Sequence, residues 1–304
     1  MSTSRTVESG ALATESSGAS ILPEKHNCRF RAWPRATRRL GIQHTRAITL
    51  LILLTLCPPS WSFGDELADF SVPAWRWVRC QSVPLQRDGH ATETLRFGDM
   101  VRLLRSEADR LYVEQYRWGE SWRAGWIRKD SVVDRDEAVG LFSKAIEASP
   151  SRGRAYYGRG LAHAYGSPNA TSVEYERACE DLLAASRLNP ECCQAHWHRA
   201  SILAGFLHRY IDAIDAYDEV VESCPTLLAA RKRRASLLQY VGTLFRSQGK
   251  DARADAYYRR ARLDCTFGIQ HAPNEKKAWF YARRAKVNLL LGAPEESLED
   301  AAAA

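Results

Sequence analysis

No stretch of this chain is long and apolar enough to cross a bilayer comfortably as a helix, which takes about 20 residues. The apolar run AITLLILLTLC, from Ala47 to Cys57, has only eleven. None of the eight cysteines stands in a CxxC spacing, and no HExxH, glycine-rich phosphate loop or nucleophile elbow occurs. These absences exclude the common zinc sites, zinc-dependent peptidases, P-loop nucleotide chemistry and the hydrolase elbow. His196 and His198 are two apart on a helical stretch, so they face different sides and do not make a two-histidine metal site. His163, His208 and His271 each stand alone. The acids Glu295 and Glu296 follow Pro294 and read as a helix start, with negative charge at the positive dipole end. The expectation is a protein that is not an enzyme and holds no metal or cofactor. A large charge of one sign is also missing from the folded part. The net charge is +7, but residues 1–62 hold 8 Lys/Arg against 3 Asp/Glu, which leaves +2 for the remainder and argues against a nucleic-acid partner.

What is present begins with a leader, residues 1–62. Residues 1–45 are rich in Ser, Thr and Arg without apolar periodicity, so disorder is expected there. The basic flank RFRAWPRATRRLGIQHTR, the short apolar run and the breaking PPSWSFGDE read as a signal peptide, with small residues Ser60 and Ser62 placing cleavage before Phe63. Export to the periplasm or beyond follows. The alternative is retention in the inner membrane by an uncleaved Ala47–Cys57 segment. Six cysteines lie beyond residue 62, and an exported chain would meet oxidising conditions.

Between about residues 70 and 133 short β-branched and aromatic runs alternate with turn signals: WRWVRCQSVPLQ, ETLRFGDMVRLL, LYVEQYRW and AGWIRKDSVV. The order Val-Pro-Leu, Leu-x-x-Gly-Asp-x-Val, Leu-x-Val, Gly-Trp-Ile resembles a bacterial SH3-like domain. That resemblance implies a small β-barrel without catalytic activity that binds peptides or peptidoglycan. Trp75, Tyr116, Trp118 and Trp122 are its candidate aromatic groove, whereas Trp126 in GWI reads as core.

From residue 134 to 304 the period becomes helical. Ala138, Phe142, Ala145 and Pro150 recur at the same intervals as Ala178, Leu182, Ala185 and Pro190, and as Ala213, Tyr217, Val220 and Pro225. A fourth copy, Ala254, Tyr258 and Ala261, has Thr266 where proline is expected. Ahead of these helices stand Arg159-Gly160, Arg199-Ala200 and Arg234-Ala235, and the step recurs as Arg284-Ala285, a small residue each time that lets antiparallel helices approach. The array resembles tetratricopeptide repeats, about four units with insertions at GSPNATSVEYE and around LFRSQGKDARAD and DCTFGIQHAPNEKK. The earliest unit, Asp136 to Pro150, has only its second helix, the barrel's last strand standing where the first should be. The resulting expectation is an α+β multidomain chain, an SH3-like barrel followed by an all-α helix-turn-helix solenoid with superhelical form.

The resemblance further implies that first helices line a binding groove, whose inward positions here are Arg154, Tyr157, Trp197, Lys232, Arg233, Ser236, Gln239, Arg283 and Lys286. Mostly cationic later units favour a protein or acidic peptide partner. Peptidoglycan, through the barrel, is the alternative. In the same register Cys193 begins one helix and Cys224 ends its antiparallel mate, so either Cys192 or Cys193 is in place to bridge to Cys224.

Overall fold

In the computed structural model, residues 75–304 are described, apart from 88, 116–122, 168 and 191. The described residues belong to one packed unit. The leader readings, the apolar run included, lie outside them. No helix among the described residues is long and apolar enough to cross a membrane.

The first part is an antiparallel sheet of β1 (Trp75–Val78), β2 (Ser82–Arg87), β3 (His90–Arg96), β4 (Met100–Ser106), β5 (Arg110–Gln115), β6 (Arg123–Arg128) and the short β7 (Val132–Val133). Their order is β3-β2-β6-β5-β4-β1-β7. No described ladder joins β3 to β7, so the sheet is open where a barrel was expected. Alternation along the strands gives it two apolar faces. Val78, Val83, Leu85, Leu95, Val101, Leu111, Val113 and Ile127 form one core. Trp75, Trp77, Met100 and Val133 belong to the other core, which is continuous with that of the helices. Register explains the division, because Trp77 pairs with both Met100 and Val133, and directly paired residues share a face.

The helices are α1 (Arg135–Ala148), α2 (Gly153–Tyr165), α3 (Ser172–Leu188), α4 (Cys193–Gly205), α5 (Tyr210–Ser223), α6 (Leu228–Ser247), α7 (Asp251–His271), α8 (Asn274–Leu290) and α9 (Pro294–Ala303). They pack as hairpins α2–α3, α4–α5, α6–α7 and α8–α9, while α1 packs on α2 and is preceded by β7. Helix stops follow proline. Helices α1, α3 and α5 end two residues before Pro150, Pro190 and Pro225, since the ring disfavours helical backbone in the preceding residue. With Thr266 in place of the fourth proline, α7 runs on to His271 and stops two residues before Pro273. Much of the added stretch DCTFGIQHAPNEKK is therefore helix, not loop.

The small residues work by close approach. A Cβ on Gly160 would sit 3.0 Å from Leu182 Cγ and 3.1 Å from the Ala178 carbonyl oxygen. Ala200 and Ala235 are fully buried, and Ala285 nearly so. The arginine before each small residue ties its hairpin together. Arg159 donates to both oxygens of Asp181, Arg199 to Glu219, Arg234 to both oxygens of Asp264, and Arg284 to both oxygens of Asp300. Asp181, Asp264 and Asp300 are themselves buried, and such carboxylates are tolerable inside because a fork of guanidinium donors meets them.

The sheet docks on the first hairpin through the β3–β4 turn. Arg154 Nε donates to the Phe97 carbonyl at 2.9 Å, and its Nη2 donates to Asp99 Oδ1 at 2.5 Å. Phe97 meets Phe142 edge-on at 5.1 Å, and the Arg152 guanidinium lies 3.9 Å from the Phe97 ring centre. Backbone meets backbone at Gly98 and Gly158. A Cβ on Gly98 would be 2.7 Å from the Arg154 carbonyl oxygen, and one on Gly158 would be 2.9 Å from the Gly98 Cα.

Candidate functional site

The nine expected groove positions separate into two groups. Those of the earlier units are spoken for. Arg154 is held by Asp99 and the Phe97 carbonyl, so it serves the docking of the sheet. Tyr157 is 5% exposed and meets His198 edge-on at 5.9 Å. Trp197 is 6% exposed and meets Tyr217 edge-on at 5.6 Å. These three are corrected from groove to interface and core: the sheet stands against α2, and the rings fill seams between helices.

The later positions come together on α6 and α8, the first helices of successive hairpins. Lys232 Nζ and Arg283 Cζ each lie 5.0 Å from the centre of the Trp279 ring, a cation–π arrangement. Arg283 Nη1 donates to Gln239 Oε1 at 2.8 Å, a neutral acceptor, and Gln239, 7% exposed, is corrected from groove to buried partner of that arginine. Among the described residues no carboxylate pairs with Arg283 or Lys286, in contrast to the four clamp arginines. Lys232, Arg233, Arg283 and Lys286 are all half-buried. Burial lowers the pKa of Lys232 and of Lys286, and the Arg283 charge lowers both further. Burial also lowers Arg233 and Arg283. Ser236 contributes less than its position suggests, because its hydroxyl donates to the Lys232 carbonyl of its own helix at 3.1 Å.

Trp279 was not among the expected residues. It lies one helical turn before Arg283, and the insertions ahead of α8 blur the register that would have pointed to it. The signal was nevertheless legible, because a tryptophan at i−4 to an arginine on a helix shares its face.

On the sheet, Trp75 is 2% exposed and part of the shared core, so it lines no exposed groove. Tyr116, Trp118 and Trp122 lie outside the described residues. Trp126 reverses its expectation: it is half-exposed, 5.1 Å from Tyr112, with the Arg110 guanidinium 4.3 Å from its ring centre. Strand parity explains this, since the neighbouring Gly125 and Ile127 are the buried residues of β6.

The histidines sit apart. His196 Nδ1 is 2.7 Å from Glu219 Oε2, and His198 is packed between Tyr157 and Tyr165. Among the described residues no cluster of three or more His, Cys, Asp or Glu could hold a metal ion. Glu295 and Glu296 occupy the first turn of α9 behind Pro294. Cys193 and Cys224 form a disulfide with Cα atoms 6.2 Å apart, while Cys80, Cys179, Cys192 and Cys265 are free thiols.

No family model matches the chain, and no curated protein matches it. Among solved structures, a MamA crystal structure shares 15% identity at a TM-score of 0.39, covering 56% of this chain and 85% of that one. MamA (41-end) from Desulfovibrio magneticus RS-1 shares 15% at 0.36, covering 55% and 81%. YrrB, described as a TPR protein with an unusual peptide-binding site, shares 18% at 0.39, covering 56% and 75%. At these identities and TM-scores the likeness carries no argument about this chain's fold or function.

Proposed function

We propose that this chain is a non-catalytic protein-interaction scaffold whose α6–α8 surface holds an acidic peptide segment of a partner. Lys232, Arg283 and Lys286 supply charge-assisted hydrogen bonds, Arg233 adds positive field, and Trp279 offers an apolar wall beside them. The observation that carries the reading is the contrast between the two kinds of cation in the array. The hairpin arginines meet carboxylates of their own chain, whereas among the described residues Arg283 and Lys286 have none and are held half-buried near one another. An incoming carboxylate relieves that repulsion, and partial desolvation strengthens the contact. The sheet serves as the N-terminal cap of the array on this reading, because its Trp75, Trp77 and Met100 face is spent on the helices. Export of the chain is part of the same proposal, and the Cys193–Cys224 bond is in keeping with an oxidising compartment.

The test is fluorescence anisotropy of a labelled glutamate-rich peptide titrated with the chain. Binding that weakens with salt, and is lost in a Lys232→Glu, Arg233→Glu, Lys286→Glu variant whose melting temperature falls by no more than a few degrees, supports the site. Full-affinity binding by the triple variant refutes it. So does unfolding of that variant, because these side chains would then be structural.

A further inference from the structure

We propose that Cys192 is a resolving thiol for the Cys193–Cys224 disulfide, so that the bond can migrate to Cys192–Cys224 and release Cys193. The inference does not depend on the α6–α8 surface. It starts from three cysteines gathered where α4 begins and α5 ends. Cys193 is the first residue of α4 and Cys224 the residue after α5, while Cys192 directly precedes α4 and carries a free thiol. Their exposures differ. Cys193 is 4% exposed, whereas Cys192 and Cys224 are half-buried. The free thiol, less enclosed than Cys193, is thus the sequence neighbour of the one that is bonded.

Chain geometry keeps Cys192 close, its Cα no more than roughly 10 Å from that of Cys224. Adjacent Cα atoms are about 3.8 Å apart, and the Cys193–Cys224 Cα separation of 6.2 Å lies within the range a disulfide spans. Cys192 is the N-cap residue, with φ −80° and ψ 72°, outside the helical backbone of α4. It can turn toward Cys224 at the expense of the first-turn bond from Ala195 N–H to its carbonyl, leaving the rest of α4 in place. In the structure its thiol lies within electrostatic reach of Arg154 and Tyr157, on the side of the preceding hairpin. Migration of the bond would therefore draw the α4 start away from the arginine that docks the sheet.

The chemistry needs no oxidant. The Cys192 thiolate attacks Cys224 Sγ along the existing S–S bond. The Cys192–Cys224 bond forms as the Cys193–Cys224 bond breaks, and its electron pair leaves on Cys193 Sγ. Cys193 takes up from solvent the proton that Cys192 gave to it. One disulfide is present before and after.

The test uses the whole folded chain, its free thiols followed by alkylation. Non-reduced protein is held at pH 8 without reductant and pulsed with iodoacetamide, and fragment-ion mass spectrometry then places the label on Cys192 or Cys193. Exchange puts label on both in the wild type, and none on Cys193 in Cys192→Ser, where the bond has nowhere to go. A Cys193→Ser chain, incubated with glutathione disulfide before the pulse, should protect Cys224 from alkylation by forming Cys192–Cys224 as the glutathione disulfide is reduced to two thiols. Label confined to Cys192 in the wild type overturns the proposal, as does full labelling of Cys224. Should Cys193→Ser fail to fold, the position of the label in the wild type still decides.

Discussion

Replacing Gly98 by alanine should destabilise the helices as well as the sheet, although Gly98 belongs to a turn between strands. Two terms set the size. Gly98 has φ +83°, where a Cβ costs roughly 1–2 kcal/mol, partly offset by about 0.4–1 kcal/mol of lost unfolded-state freedom. The second term is contact. The new methyl would lie 2.7 Å from the Arg154 carbonyl and 3.4 Å from Gly158 N and Cα, all backbone of α2 that cannot move aside like a side-chain tip. Overpacking of this kind adds roughly 1–3 kcal/mol. Gly89→Ala supplies the control. Gly89 has φ +80° and nothing within 4 Å of the added Cβ, so it carries the first term alone.

The expected total for Gly98→Ala is roughly 2–4 kcal/mol, against about 1 kcal/mol or less for Gly89→Ala. For a unit of this size 1 kcal/mol moves Tm by about 2–4 °C. Far-UV circular dichroism, dominated by α1–α9, is the assay that matters. Because Trp75, Trp77, Phe97 and Met100 share a core with the helices, loss of the turn should lower the helical transition itself. Equal shifts for the two variants, or a helical transition unmoved while the sheet's near-UV signal is lost, would refute the shared core as the link between the parts.

Other outcomes follow from particular residues. Burial pushes His198 down to about 4, so between there and its ordinary 6.5 the unfolded chain binds a proton that the folded one refuses. Stability should then fall as pH drops through that window, by about 3 kcal/mol in all, and urea titrations of His198→Phe should show that much less loss. His208 has φ 54° at a helix end where α6 and α8 are followed by Gly249 and Gly292, so His208→Gly should raise stability by about 0.5–1 kcal/mol, read as a higher urea midpoint at unchanged slope. Thr266→Pro restores the residue found at this point in the other units, yet it should cost about 3 kcal/mol or more, because here the helix continues to His271. A gain in thermal stability would mean that α7 ends early.

What the sequence disclosed divides along physical lines. The paired helices were legible because their signals are local: a small residue where two backbones meet, an aromatic or leucine opposite it, a proline that stops the chain. Even the exception at Thr266 obeys the rule, since the next proline, Pro273, stands two residues beyond the end of α7. The hairpin arginines were visible as a repeat, but their carboxylates were not, because Asp181, Asp264 and Asp300 lie 22, 30 and 16 residues beyond them with no common spacing.

The sheet and the first groove positions failed for a shared reason. Strand alternation tells which residues share a face but not what covers that face. Trp75 and Trp126 are both tryptophans on alternating strands, and only the presence of α1 and α2 against one face makes the first buried and leaves the second half-exposed. Arg154 occupies a position that in an isolated repeat would look outward to a ligand, and it was reassigned by Phe97 and Asp99 from another part of the chain. Lys232, Arg283 and Lys286 stay half-buried on α6 and α8, while Gln239, only 7% exposed, is taken up as the acceptor for Arg283. A repeat register thus finds the residues able to face a partner, and the docking of neighbouring elements decides which are still able to do so.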